Sequence, residues 1–241
     1  MALEQDMKSS DLVLITGASR GIGAETARAL VADHGTQVLL VSRNGELLAD
    51  VASSCSDPTK VEILALDLAS ADAVPRVDER VGQRRLRAII NNAGLFRTRN
   101  LGQWTLADLE ELFRVNAHVP FLLAQTLADR LEGDPQGHVV NIGSMGGVQG
   151  SVKFPGLLGY SASKAALAGY TECLAEELRK RGIACNCLAL GSVDTEMLRQ
   201  AFPDHQAGLT ALEMGRYVAR FALEGHKYFN AKVLPVSTRT P

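Results

Sequence analysis

The chain of 241 residues contains two tyrosine–lysine pairs of identical spacing, Tyr160 and Lys164 in YSASK and Tyr228 and Lys232 in YFNAK. A phenol beside an ammonium can exchange protons near neutral pH, because the cation favours the phenolate. On a helix, positions four apart lie about 6 Å from each other, whereas a strand separates them by ~13 Å. At about 6 Å and an effective dielectric near 20 the attraction is roughly 3 kcal/mol, or about 2 pKa units off a reference near 10. At ~13 Å it halves before salt screens it. Tyr160 begins SASKAALAGYTECLAEELRK, rich in Ala, Leu, Glu and Lys, and reads as helix, while Tyr228 leads through Asn230 into KVLPV and reads as loop and strand. The first pair is therefore the candidate acid/base, its phenol expected well below the ordinary value. The second is a structural or surface pair.

Proton transfer needs a substrate held nearby. Ser144 follows the apolar run HVVNIG, and NNAG, Asn91 to Gly94, follows another. Both fall at carboxyl ends of expected parallel strands, where α/β sheets bind ligands. A serine hydroxyl there can hydrogen-bond a carbonyl oxygen while Tyr160 delivers or removes its proton.

The stretch TGASRGIG, Thr16 to Gly23, follows the first strand and opens into the helix IGAETARALVAD. Its glycines permit a tight turn and close approach to a pyrophosphate, and the free N–H groups of the helix start favour anionic oxygens. The pattern Gly17-x-x-x-Gly21-x-Gly23 has a wider first gap than the common dinucleotide fingerprint. About 20 residues further on, dinucleotide sites place an acid for the ribose 2′-hydroxyl. Here that position is Arg43, which cannot accept from a hydroxyl but pairs with a 2′-phosphate, and Arg20 adds a second cation in the turn. Glu46, the nearest acid, lies in the next helix. NADP(H) is thus favoured over NAD(H), although Arg43 by itself also fits a solvated surface cation.

The elements that must position these residues are legible as alternation. Seven short apolar runs, LVLIT (12–16), QVLLVS (37–42), VEILALD (61–67), LRAIIN (86–91), HVVNIGS (138–144), IACNCLAL (183–190) and KVLPV (232–236), read as fully buried strands. Helical stretches are expected at 22–33, about 45–54, about 71–81, about 106–130 and 160–181, with Gly182 as a stop. Thr210 and Glu213 form a capping box for a helix to about Leu223. Strand–helix alternation implies a parallel sheet covered on both faces in one domain spanning 1–241. Residues 191–209 interrupt it and are the candidate flap over a site.

Composition excludes other classes. With 46% hydrophobic and 22% charged residues and a net charge of −2, nothing invites nucleic acid or an anionic membrane. No signal peptide or spanning segment is visible, so a cytoplasmic location is expected. Cys55, Cys173, Cys185 and Cys187 show no Cys-x-x-Cys and are expected as buried thiols, and the five histidines are scattered, so no metal site is expected.

With TGASRGIG, NNAG, Asn116, Ser144 and Tyr160-x-x-x-Lys164 in this order, the chain resembles the short-chain dehydrogenase/reductase family, strongly over about residues 10–200. The resemblance implies a Rossmann-type doubly wound sheet of seven parallel strands and hydride transfer between a nicotinamide and a carbonyl or alcohol carbon. It makes Tyr160 the acid/base, Ser144 the carbonyl orienter and Lys164 the residue that binds the nicotinamide ribose and lowers the tyrosine pKa. Asn116, in LFRVNAHVPF, would hold a water linking Lys164 to solvent. Gly17, Ser19, Arg20, Gly21, Ile22 and Gly23 would surround the phosphates, with Arg43 at the 2′-phosphate, Asp67 and Leu68 at the adenine, Asn92, Ala93 and Gly94 along the dinucleotide, and Val193 and Thr195 at the carboxamide. Taken singly, Asp67 also fits a helix cap, Asn116 a helix bend and Ser144 a turn hydroxyl.

The resemblance further suggests a homodimer or tetramer and a ketone reductase. The alternatives are an alcohol or sugar-alcohol dehydrogenase working in oxidation, or a catalytically silent NADP-binding sensor. Three departures bear on this. The gap from Ser144 to Tyr160 is long for the family and implies an enlarged loop beside the substrate. Leu190-Gly191 replaces the usual Pro-Gly and is expected to leave that backbone less constrained. The ending KVLPVSTRTP lacks a glycine-rich close. Leu95, Phe96, Phe154, Leu157, Met197 and Phe202 are candidate lining for an apolar ketone, or loop anchors.

Overall fold

The structure, a computed structural model, describes residues 11–204 and 206–237; the last residues of the ending KVLPVSTRTP lie outside them. The seven apolar runs form one parallel sheet from β1 (Leu12–Thr16), β2 (Gln37–Ser42), β3 (Val61–Ala65), β4 (Leu86–Asn91), β5 (His138–Ser144), β6 (Ala184–Leu190) and β9 (Lys232–Val236). Their spatial order is β3-β2-β1-β4-β5-β6-β9. The order reverses beside β1, and the carboxyl ends of β1 and β4 diverge there, the crevice in which doubly wound sheets hold dinucleotides.

Side-chain alternation divides the core between the two faces. Val13, Ile15, Val38, Leu40, Ala88 and Ile90 pack under α1 (Gly21–His34), α2 (Gly45–Ser53) and α9 (Ala211–Glu224). Leu12, Leu14, Leu39, Val41, Leu86 and Ile89 pack under α3 (Ala73–Val81), α5 (Val119–Thr126) and α7 (Leu158–Leu178). The two outer strands are exceptions to full burial. β3 and β9 are half-buried along most of their length, because an edge strand has a neighbour on one side only. β9 tolerates Pro235 for the same reason, and β3 ends at Ala65, two residues before the apolar run does.

Helix ends follow their signals. Thr210 and Glu213 make a reciprocal capping box at the start of α9, and Gly182 (φ +64°) stops the chain after a 3-10 turn at Arg179–Arg181. The stretch expected as one helix from 106 to 130 is segmented: α4 (Leu106–Phe113) passes into a π turn, Arg114–His118, then α5 and the short α6 (Ala128–Leu131). In that turn Val119 N–H bonds to Arg114 O, five residues back. Residues 191–209 carry a short strand, β7 (Val193–Asp194), and α8 (Glu196–Ala201). β7 pairs in parallel with β8 (Leu209–Thr210).

Three cysteines are buried as expected, but Cys173 is exposed on the outer face of α7. Tyr228 is 77% exposed in a turn and Lys232 opens β9, so this pair is no acid/base device. Among the described residues, no cluster of His, Cys, Asp or Glu is arranged for a metal, and no helix is long and apolar enough to cross a membrane.

Candidate active site

The glycine turn after β1 is built for close approach. Gly17 has φ +66°, and a Cβ on it would lie 2.6 Å from Ala93 Cα; one on Gly23 would lie 2.5 Å from both Asn92 Nδ2 and Gly17 O. Only glycine fits where φ is positive and backbone crowds this tightly. Asn92 Nδ2 donates to Thr16 O and Gly17 O at 3.1 and 3.0 Å, and Thr16 Oγ1 accepts from Ala93 N at 3.0 Å. NNAG therefore braces the turn from β4 as well as lining the cleft. α1 begins without a side-chain cap and without an acid in its first turn, unlike α4 and α9, which have capping boxes. Its positive end is uncompensated and faces the cleft.

One cavity of about 1160 Å³ runs along these carboxyl ends. It is lined by Gly17, Ser19, Arg20, Gly21, Ile22, Arg43, Asp67, Leu68, Asn92, Ala93, Gly94, Ser144, Tyr160, Lys164, Val193 and Thr195, all of them read from the sequence. Gly23 lies beneath it, packed on Asn92. Arg43 is exposed and forms no ion pair among the described residues. Arg20 instead reaches Glu196 at 2.5 Å and ties the turn to α8. Asp67 Oδ1 accepts from Ala69 N at 3.0 Å, closing a turn beside the cavity. Thr195 caps α8 by accepting from Leu198 N at 3.2 Å.

At the other end, Ser144 closes β5 and its Oγ accepts from Gly146 N at 3.1 Å. Tyr160 lies in the first turn of α7, which starts two residues before it, and Lys164 follows one turn on. Burial raises the Tyr160 phenol above its ordinary value, and a hydrogen bond from Ser144 only partly offsets this. That reverses the depression expected from the sequence. Burial of the phenol is the cause; Lys164, whose Nζ donates to Ile142 O at 2.8 Å, does not counter it, and burial lowers the Lys164 pKa to about 8.

Asn116 is fully buried in the π turn. Its Oδ1 accepts from Leu95 N at 2.7 Å, and its Nδ2 donates to Leu95 O and Ser163 Oγ, both at 2.9 Å. A Cβ on Gly94 would lie 3.7 Å from Lys164 Nζ and 3.9 Å from Asn116 Oδ1, so the three meet at one spot.

All six apolar candidates line the same cavity. The Phe96 ring sits edge-on to Tyr160 at 5.2 Å, and Phe154, on the long loop before α7, meets Phe202 just beyond α8 at 5.2 Å. The backbone at Leu190-Gly191 is held, contrary to expectation. Leu190 keeps its place in the ladder beside Val236, Gly191 N donates to Val236 O at 2.9 Å, and a Cβ on Gly191 would strike Ser237 Oγ at 2.4 Å.

Sequence reasoning missed Glu196, the partner of Arg20, and Glu111, a carboxylate in the cavity wall held by Arg97 at 2.6 Å. Neither belongs to a motif. The signal available for Glu196 was its place as the acid following Thr195, the favoured first-turn position of a capped helix.

The short chain dehydrogenase family model matches residues 11–206, and the chain belongs to that family. It is 32% identical over 188 residues to a 3-oxoacyl-(acyl-carrier-protein) reductase of Aquifex aeolicus, covering 76% of this chain and 74% of that one. It is likewise 32% identical over 198 residues to the gluconate 5-dehydrogenase of Gluconobacter oxydans, covering 80% and 75%. Among solved structures, a Pseudomonas aeruginosa RhlG/NADP active-site complex superimposes with a TM-score of 0.84 at 27% identity over 94% of each chain. A Burkholderia cenocepacia short chain dehydrogenase in complex with NADP gives 0.81 at 30% identity, covering 95% and 96%. The protein is an oxidoreductase of the CH–OH/C=O type.

Proposed function

We propose that the protein is an NADP(H)-dependent ketone reductase. The observation that carries this is one cavity with an unpaired arginine at its adenosine end, Tyr160 and Ser144 at the other, and an apolar wall beside them. The residues fit the dinucleotide: Gly17 and Gly23 let the turn close tightly on Ala93 and Asn92, and the uncapped start of α1 suits the charge of a pyrophosphate. Arg43 suits a 2′-phosphate, and the NADP named in two structural neighbours supports that preference. When bound, the reduced nicotinamide supplies hydride to the carbonyl carbon.

Ser144 holds the carbonyl oxygen and Tyr160 donates its proton to the oxygen as charge develops. The raised phenol suits reduction, since it stays protonated and ready to donate. Lys164 orients the cofactor ribose, and its lowered pKa lets it replenish the Tyr160 proton near neutral pH. Both Nδ2 donors of Asn116 are used, so a water relay there would rest on the second lone pair of its Oδ1 and on main-chain groups of the π turn, where α-helical bonding is interrupted. Asp67 and Leu68 flank the adenine, and Val193 and Thr195 the carboxamide. Residues 191–209 act as the flap, in a one-domain cytoplasmic homo-oligomer.

The similarity to gluconate 5-dehydrogenase favours, as a second reading, oxidation of a sugar alcohol. Against it stands the apolar wall of Leu95, Phe96, Phe154, Leu157, Met197 and Phe202, beside which Glu111 is already held by Arg97. The test follows NADPH absorbance with ketones, 3-oxoacyl thioesters, quinones and, in reverse with NADP, gluconate, comparing native protein with Tyr160→Phe. Turnover that survives the substitution overturns the catalytic assignment, and tight NADPH binding with no turnover would leave a sensor.

A further inference from the structure

A second concavity of about 470 Å³ adjoins the catalytic cavity, and Phe154, Leu157 and Ser161 line both. Its size is within the range of small-molecule pockets, about 300 to 1,000 Å³. Beyond the shared wall it is formed by Leu101, Trp104, Pro155 and Leu158. Leu101 is 91% exposed and Leu158 53% exposed, a large apolar surface to leave beside a site.

Two segments build it: the loop that leaves NNAG, and the long excursion between Ser144 and Tyr160. Arg99 N donates to Gly156 O at 3.1 Å and joins them. Two cations line the rim: Lys153 donates to Val148 O at 2.6 Å and Ser151 Oγ at 2.7 Å, and Arg99 donates to Thr98 O at 3.1 Å and pairs with Asp108 at 3.5 Å. Both cations are thus turned to the protein's own oxygens, and the floor between them is apolar.

We propose that this groove is a tail site, which takes an unbranched aliphatic chain attached to the ketone reduced at Tyr160, with Phe154 as the partition that the chain must pass. The continuity of the two walls selects the substrate's own tail as occupant, because Phe154, packed edge-on against Phe202 in the wall of the catalytic cavity, borders the groove as well. A polar chain would lose its water against Leu101, Trp104, Pro155 and Leu158, whereas each methylene that leaves water gains about fourfold in binding. The proposal rests on the ketone reductase reading for its chemistry but predicts binding that is measurable without turnover.

The chain's one tryptophan is Trp104, so its emission reports on the groove directly. 2-Undecanone and 2-pentanone would be titrated into the native protein and into a Leu101→Lys/Leu158→Lys variant, recording Trp104 emission and then kcat/KM with NADPH. The expected result is a saturable blue shift with 2-undecanone alone. The native kcat/KM should rise by up to about fourfold per added methylene once the chain reaches the groove. In the variant both the shift and the long-to-short ratio of kcat/KM should collapse. Saturable emission without turnover on any ketone supports the groove and refutes the reductase reading. Turnover independent of chain length with no response from Trp104 refutes the groove and leaves the reductase reading standing. An unchanged long-to-short ratio in the variant also refutes it.

Discussion

Replacing Lys164 by methionine would isolate what burial of the ammonium costs the fold. The side chain is 4% exposed and donates to Ile142 O at 2.8 Å, and burial holds its pKa at about 8 against an ordinary 10.5. At pH 7 both folded and unfolded chains bind the proton, but the folded one does so unfavourably, by about 3 kcal/mol, since each tenfold loss of proton affinity is worth about 1.4 kcal/mol. Between pH 8 and 10.5 the unfolded chain binds more protons than the folded one, so this contribution makes stability rise with pH. By pH 10 about 2.5 kcal/mol of the penalty is relieved. Methionine keeps an apolar stem and does not titrate. Urea unfolding of native protein and Lys164→Met at pH 7, 8, 9 and 10 should therefore show the native protein gaining about 2.5 kcal/mol relative to the variant. The lost hydrogen bond to Ile142 displaces the two curves by a constant and leaves this slope intact. Parallel curves across the range would refute the claim that burial sets the Lys164 pKa.

Four other outcomes are expected. Arg43→Ala should weaken NADPH binding by about ten- to hundredfold and leave NADH binding unchanged in a fluorescence titration, as loss of a charge-assisted phosphate contact requires. Gly17→Ala forces a Cβ onto Ala93 Cα at φ +66°; it should cost about 1 to 3 kcal/mol of stability by calorimetry and abolish NADPH binding. Glu196→Gln frees Arg20 from an exposed ion pair, so NADPH affinity should rise by no more than a few-fold with melting temperature unmoved. His138 is fully buried, donating from Nδ1 to Ala222 O and accepting at Nε2 from Asn186, and burial lowers its pKa to about 3. Stability should fall as pH drops from 6.5 toward 3, by up to about 1.4 kcal/mol for each tenfold rise in proton concentration, and His138→Gln should flatten that slope in acid-unfolding curves.

Much of this architecture was legible because buried parallel strands and capped helices write themselves locally. β1, β2, β4, β5 and β9 occupy the runs that the apolar pattern marks, and Thr210 with Glu213 starts α9 as the capping rule requires. The candidate site residues were legible as types at strand ends and in one glycine turn, and the fold brings all but Gly23 and Asn116 to the wall of a single cavity. What escaped depends on contacts between distant segments. The ion pair from Arg20 to Glu196 joins residues 176 positions apart. The expected acidity of Tyr160 failed because spacing gives the distance between two positions and neither how deeply the phenol is buried nor where the ammonium points, which is to Ile142 O on another element. Edge exposure of β3 and β9 follows from strand order, which no apolar run encodes.

The π turn at Arg114–His118 means that the helical path from α4 to α5 contains one residue more than regular winding needs. Deleting one residue from it would restore the ordinary pitch while leaving α4 and α5 close to their present phase. The backbone would gain regular hydrogen bonds, yet Asn116 would swing off Leu95 and Ser163, the loop above Gly94 would lose its anchor, and the floor beneath Lys164 would shift. A shorter chain would thus make a better helix and a poorer enzyme. At this point the molecule encodes its chemistry in the length of a segment, where substitution scanning would never find it and a single-codon deletion would.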